Sequence, residues 1–209
     1  MGAQESHEDR VATLARQVYE LQAELNQLRR EGPRSSVESF LFNSLEGEVS
    51  LEQLFGDHDD LLVIHNMGRH CPYCTLWADG FIGMQPHFES RAALVVCSPD
   101  PPEVQQEFAR SRRWPFRMVS DSGGFTHAMG YSRESDDGRT LQLPGFSTFR
   151  RSEAGIERVT HAPFGPGDTF SPIWHMLGVL AEGPDGWQPQ FSYAGCDRSR
   201  APDRDRPCH

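Results

Sequence analysis

Leu61-Leu62-Val63-Ile64-His65-Asn66-Met67-Gly68-Arg69-His70-Cys71-Pro72-Tyr73-Cys74 is the stretch that decides the fold. Its first five residues form an unbroken apolar run closed by a histidine, the pattern of a strand buried on both faces of a parallel or mixed sheet. From Thr75 to Ser90 the apolar positions Leu76, Trp77, Phe81 and Phe88 follow, so a helix starts at the cysteines. Gly80, Gly83 and Pro86 predict a kink or break in it. Cys71 thus falls at or next to a helix N-cap, where unpaired backbone N–H groups and the helix dipole favour thiolate over thiol. Cys74 lies one turn further on the same side, within reach to close a disulfide. Pro72 suits the first turn because its missing N–H is not needed there.

The flanking sequence extends this strand and helix into a sheet. Ala92 to Cys97 is a second buried strand, Glu103 to Arg113 a polar helix packing on Val104 and Phe108, and Phe116 to Val119 a short strand. Phe146 to Arg151 and Ile156 to His161 predict a β-hairpin around Ser152-Glu153-Ala154-Gly155. Pro172 to Leu180 is a final helix, with Ile173, Met176, Leu177 and Leu180 on one face, and residues 132 to 140 an exposed loop. Upstream, Phe40 to Leu51 reads as strand, turn and strand or helix, and Leu51, Leu54 and Phe55 as a helical turn closed by Gly56. The order predicts an α/β domain over residues 36–193, a mixed central sheet flanked by helices with a βαβ front half. Residues 194–209 alternate in charge with almost no apolar content, and are expected to be a disordered tail.

Residues 6–31 form a separate amphipathic helix. Val11, Leu14, Val18, Leu21, Leu25 and Leu28 step by 3, 4, 3, 4 and 3, the a and d positions of a heptad. Val at positions 11 and 18 with Leu at the d positions favours two parallel strands, hence a homodimer through residues 8–31; the other reading is a helix folded onto its own domain. Gly32-Pro33 ends it.

Composition narrows the function. The chain has 209 residues, enough for one domain and an appendage. No apolar run approaches the roughly 18 residues a membrane helix needs, and the first residues lack a signal peptide's apolar core, so a soluble, cytoplasmic protein is expected. The net charge of −10 argues against nucleic-acid binding. All 20 basic residues are Arg, which removes Schiff-base, pyridoxal-lysine and phosphate-loop-lysine chemistry. Five cysteines, an odd number at irregular spacing, do not make a secreted disulfide framework. Cys97 ends a buried strand as a small hydrophobe, and Cys196 and Cys208 are solvated bystanders.

Three readings of the Cys-x-x-Cys pair follow. In the first, Cys71 is the attacking thiol and Cys74 the resolving one, with His70 as a neighbouring imidazolium that lowers the Cys71 pKa. The substrate is then a protein or small-molecule disulfide or thiol, or a peroxide, and no cofactor is needed. In the second, Cys71 and Cys74 with His65 or His70 hold copper(I) or zinc. In the third the pair is inert.

Cys71-Pro72-Tyr73-Cys74 at a strand-to-helix junction is the motif of glutaredoxins and resembles thioredoxin-fold active sites generally. The wider segment from Val49 to Asp79, with Trp77-Ala78-Asp79 after the cysteines, looks like a little-characterised bacterial family of thioredoxin-like proteins related to the peroxiredoxin branch. The similarity continues through Val95 to Ser98 and Trp114-Pro115-Phe116, roughly residues 36 to 180. It implies a thioredoxin-like fold and places Pro72, Tyr73, Trp77 and Pro144 at the substrate side. Two departures stand out. Pro144 is the sole candidate for the proline that precedes a sheet strand and faces the cysteines, yet Gly145-Phe146-Ser147 separates it from the apolar strand. His70 stands where thioredoxins have tryptophan. Asp79 is read as a proton acceptor or a helix-surface carboxylate.

Overall fold

A computed structural model describes residues 6–122 and 124–193. The expected α/β architecture is present. Its strands are β1 (Ser35–Ser36), β2 (Leu41–Ser44), β3 (Gly47–Ser50), β4 (Asp60–His65), β5 (Ala93–Ser98), β6 (Arg117–Asp121), β7 (Ser132–Glu134), β8 (Thr140–Gln142), β9 (Gly145–Ser152) and β10 (Gly155–Pro163). Eight of them make one mixed sheet in the order β1-β10-β9-β4-β5-β6-β2-β3. Among the described residues only β4–β5 and β5–β6 are parallel pairs. β4 is central, paired with β5 on one edge and antiparallel with β9 on the other, which is why its sequence is continuously apolar.

The helices are α1 (His7–Glu31), α2 (Leu51–Leu54), α3 (Pro72–Phe81), α4 (Gln85–Glu89), α5 (Pro102–Arg112), α6 (Phe125–Ala128) and α7 (Pro172–Gly178). The predicted break after the cysteine helix is a 3-10 turn at Ile82–Met84. Strand alternation divides the core into two layers. Ile64, Leu94 and Val96 pack with Trp77, Ala78 and Phe81 of α3 and Ala109 of α5 on one face. Leu61, Val63, Val95 and Cys97 pack with Phe42, α2 and Phe125 on the other.

Three expectations change. Residues 132–140 are not a plain loop: β7 and β8 form a small ribbon, Ser132 opposite Gln142, turned at Gly138 with φ +78°. β9 begins at Gly145, so Pro144 directly precedes a strand, and register with His65 draws Gly145 into the sheet. No peptide bond among the described residues is cis. α7 turns Trp174 inward and leaves Met176 and Leu180 exposed, because the ring finds an aromatic neighbourhood the aliphatic stripe does not. None of the residues of α1 is buried, and its C-terminal end meets the domain, where Arg29 lies over Phe170. The tail 194–209, with Cys196 and Cys208, lies outside the described residues.

Candidate active site

The site grows out of the end of β4. After His65 the chain turns through buried Asn66, whose N–H donates to the Cys97 carbonyl (2.9 Å) and whose Oδ1 accepts from Gly68 N–H (2.8 Å). Gly68 sits at φ +103°, and a Cβ there would lie 3.0 Å from an Asp100 carboxylate oxygen, so a side chain is doubly disfavoured. The same carboxylate accepts from Arg69 N–H at 2.6 Å and fixes the loop ahead of the cysteines. Asp100 is held in turn through its own carbonyl by Gln105 Nε2 (2.6 Å).

Cys71 is the N-cap of α3. Its backbone is extended, and its sulfur accepts from Cys74 N–H at 3.1 Å. Thr75 closes the turn through both N–H and Oγ1 to the Cys71 carbonyl, 3.1 and 3.0 Å. Cys74 is one turn inward, and its sulfur accepts from Met67 N–H at 3.4 Å. Both cysteines are free thiols. The Cys71 thiol is pulled down to about 7, first by the hydrogen bond from Cys74 and then, against the cost of burial, by the backbone N–H groups of Cys74 and Tyr73. Cys74 moves the opposite way, raised by that hydrogen bond, by burial and by the charge on Cys71. Of the two, the outer sulfur is the one that gives up its proton first.

The predicted site residues fare differently. Cys71, Pro72, Tyr73 and Cys74 are brought together at one helix end. His70 is exposed beside them, with Nε2 accepting from Arg69 Nε at 3.3 Å. Trp77, which reads either as a substrate-side residue or as core bracing the helix from behind, is 2% exposed and stacks on Phe164 at 5.1 Å. Pro144 is half-buried at the level of the β4 end, its carbonyl accepting from Phe164 N–H (3.0 Å). Asp79 binds Arg112 and Trp114 Nε1 (2.8 Å), which ties α3 to α5. His65 points into the face away from α3. Its ring stacks on Tyr131 at 3.9 Å and lies parallel to Phe125 at 5.7 Å, with Nε2 2.9 Å from Ser147 Oγ. Among the described residues no three His, Cys, Asp or Glu side chains gather as a metal site.

The sequence reading missed an aromatic wall beside the thiols. Tyr73 stacks on Trp174 of α7 at 6.1 Å, and Trp174 meets Trp187 at 5.5 Å. Asp168 fastens this segment to α3: one carboxylate oxygen accepts from Trp77 Nε1 (3.4 Å), Phe170 N–H (2.8 Å) and Ser171 N–H (3.2 Å), the other from Gly165 N–H (3.0 Å). The available signal was the aromatic density from Phe164 to Tyr193.

This geometry is that of a thioredoxin-like protein, and comparison with known proteins agrees. The chain belongs to a family of bacterial proteins described as being of unknown function, DUF899, whose sequence pattern matches residues 3–197. Among solved structures it is similar to the peroxidoxin BcpB from Mycobacterium tuberculosis, at 25% identity over 62% of this chain and 83% of that one, TM-score 0.51. The reduced Prx3 from Vibrio vulnificus, solved in complex with H2O2, has the same fold at 15% identity over 64% and 88% of the two chains, TM-score 0.52. No curated protein is matched. Among the described residues no helix is long and apolar enough to cross a membrane.

Proposed function

We propose that the protein is a thiol oxidoreductase in which Cys71 is the nucleophile and Cys74 the resolving thiol. The observation that carries this is the N-cap: the Cys71 sulfur takes the Cys74 N–H at 3.1 Å, and its pKa falls to about 7, so about half of it is thiolate at neutral pH. Cys71 is also the more accessible residue, 9% exposed against 4% for Cys74.

In the forward step the Cys71 thiolate attacks one sulfur of a substrate disulfide. A Cys71–substrate disulfide forms, and the second substrate sulfur leaves as thiolate and takes up a proton. Cys71, now neutral, no longer holds the Cys74 proton. Cys74 gives that proton to water and attacks Cys71 Sγ, which expels the first substrate sulfur, the one still bound to Cys71, as a thiolate that takes up a proton, and closes the Cys71–Cys74 disulfide. Two electrons pass to the substrate, and a dithiol reductant returns them. An exchange thiol works best with a pKa near the ambient pH, where thiolate fraction and nucleophilicity are both high.

Likeness to a peroxidoxin favours a second electrophile for the same sulfur. On a hydroperoxide, Cys71 takes the terminal oxygen as sulfenic acid and releases an alcohol; Cys74 then condenses with it, releases water and gives the same disulfide. The test is a pair of turnover assays, one with a disulfide and one with a hydroperoxide, on wild type and Cys71→Ser. Loss of both activities in the variant is the expected result. Disulfide turnover unaffected by Cys71→Ser, with a Cys71 alkylation midpoint at or above about 8.5, sinks the redox reading.

A further inference from the structure

Helix α1 has well-built ends and an uncovered middle. Ser6 and Asp9 form a capping box, with Asp9 N–H on Ser6 Oγ at 3.1 Å; Glu8 and Asp9 sit in the first turn, Arg29 and Arg30 in the last. Gln22–Asn26 and Gln27–Glu31 side-chain hydrogen bonds brace its polar flank. Yet Val11, Leu14, Val18, Leu21, Leu25 and Leu28 are 42–65% exposed, along a helix of 25 residues, about 37 Å. A continuous apolar stripe of that length on a water-soluble surface marks an interaction site.

We propose that the stripe is covered by a second copy of this chain, the two α1 helices zipping in parallel and in register. The repeat selects a helix as occupant. Steps of 3 and 4 hold a period of 3.5, which keeps a narrow seam against another supercoiled helix; a flat body surface asks for a wider stripe of period 3.6. Self-complementarity selects the same chain: in register, Val11 and Val18 meet themselves at a layers, Leu14, Leu21 and Leu28 meet themselves at d layers, and no polar residue interrupts the seam. The flanking charges agree. Each g residue faces the e residue of the next heptad across the pair, so Glu24 meets Arg29 of the other copy twice over, Gln17 meets Gln22 and Arg10 meets Ala15, with no like charges opposed. Arg29 already lies over Phe170 at 5.7 Å, which orders it while leaving its in-plane N–H donors at the edge.

The test uses the full chain in sedimentation equilibrium. Wild type is expected at twice the mass of one chain. Val18→Glu with Leu21→Glu is expected to raise the dimer dissociation constant at least ~100-fold, because two like carboxylates then face each other at each of two layers of the seam. The thermal midpoint of the α/β domain stays unchanged, since both side chains are exposed in the single chain. Val18→Ala with Leu21→Ala, which adds no charge, weakens the dimer less. For direction, Val11→Cys in a Cys71→Ser, Cys74→Ser background is oxidised and mapped: a parallel seam joins residue 11 to residue 11. Wild type at single-chain mass, a glutamate variant that stays dimeric, or a dimer without the 11–11 link each overturns the proposal. The proposal is independent of the redox reading, as Cys71→Ser should not change the mass.

Discussion

Cys71 and Cys97 belong to the same end of the same sheet, yet their chemistry is opposite. Cys97 pairs with His65 in register across β4 and β5, and six residues after His65 the chain reaches Cys71. Cys71 has a helix N-terminus pointing at its sulfur, and its pKa falls to about 7. Cys97 is 1% exposed, its sulfur 4.0 Å from Thr126 Oγ1, and burial first, then the charge of Asp121, pushes its thiol up. The difference teaches that reactivity here is a property of backbone placement. A thiol at a strand end, under apolar cover, is held protonated; a thiol at a helix cap has its thiolate favoured.

The largest expected effect removes the proposed nucleophile. Cys71→Ser should lower disulfide turnover by roughly 10³-fold or more, while Cys74→Ser should stop at the mixed disulfide, visible as a mass adduct on Cys71. The contrast itself is read by alkylation of the native dithiol protein. Cys71 should label with a midpoint near pH 7, rising with pH as the thiolate forms, and Cys97 only when the domain opens. Equal labelling rates would erase the comparison.

The buried side of the comparison can be broken at Gly145. A Cβ there would overlap the Tyr131 ring and the Ala162 carbonyl, so Gly145→Ala should cost about 1–3 kcal/mol, seen as a lower urea midpoint at unchanged slope. A smaller effect belongs to His65. Burial first, then the positive charges of Arg158 and His161, holds its pKa well below the usual value. The unfolded chain therefore takes up the proton first. Stability from this group is present above about pH 6.5 and is lost as pH falls below it, at about 1.4 kcal/mol per pH unit. His65→Gln should flatten that slope in a pH series of denaturant midpoints; an unchanged slope would show that the ring is not the neutral stacked group described above.

How much of this was legible depends on how local the cause is. The strand, the cap and the cysteine helix could be read because an apolar run, a proline at the first turn and a break at Gly80–Pro86 act within a few residues. The hairpin of β9 and β10 was legible for the same reason. The side on which His65 falls was not: strand parity sets it opposite Ile64, but only the docked position of α3 says which face is which. Pro144 looked detached from the strand because Gly145 becomes extended only by pairing with His65, a partner 80 residues away in sequence. The inward turn of Trp174 depends on Tyr73, about a hundred residues earlier in the chain. Aromatic density marked the segment but not what it would cover.

That aromatic wall gives the protein an optical record of its own state. Three of its four tryptophans, Trp77, Trp174 and Trp187, form one cluster against α3, and Tyr73 between the two cysteines touches it. Disulfides accept electrons from excited indoles at short range, and thiols do so less well. Closing the Cys71–Cys74 bond should therefore dim the emission of most of the protein's tryptophan at once. The occupancy of the two sulfurs can then be followed in real time, in unlabelled protein, by light alone.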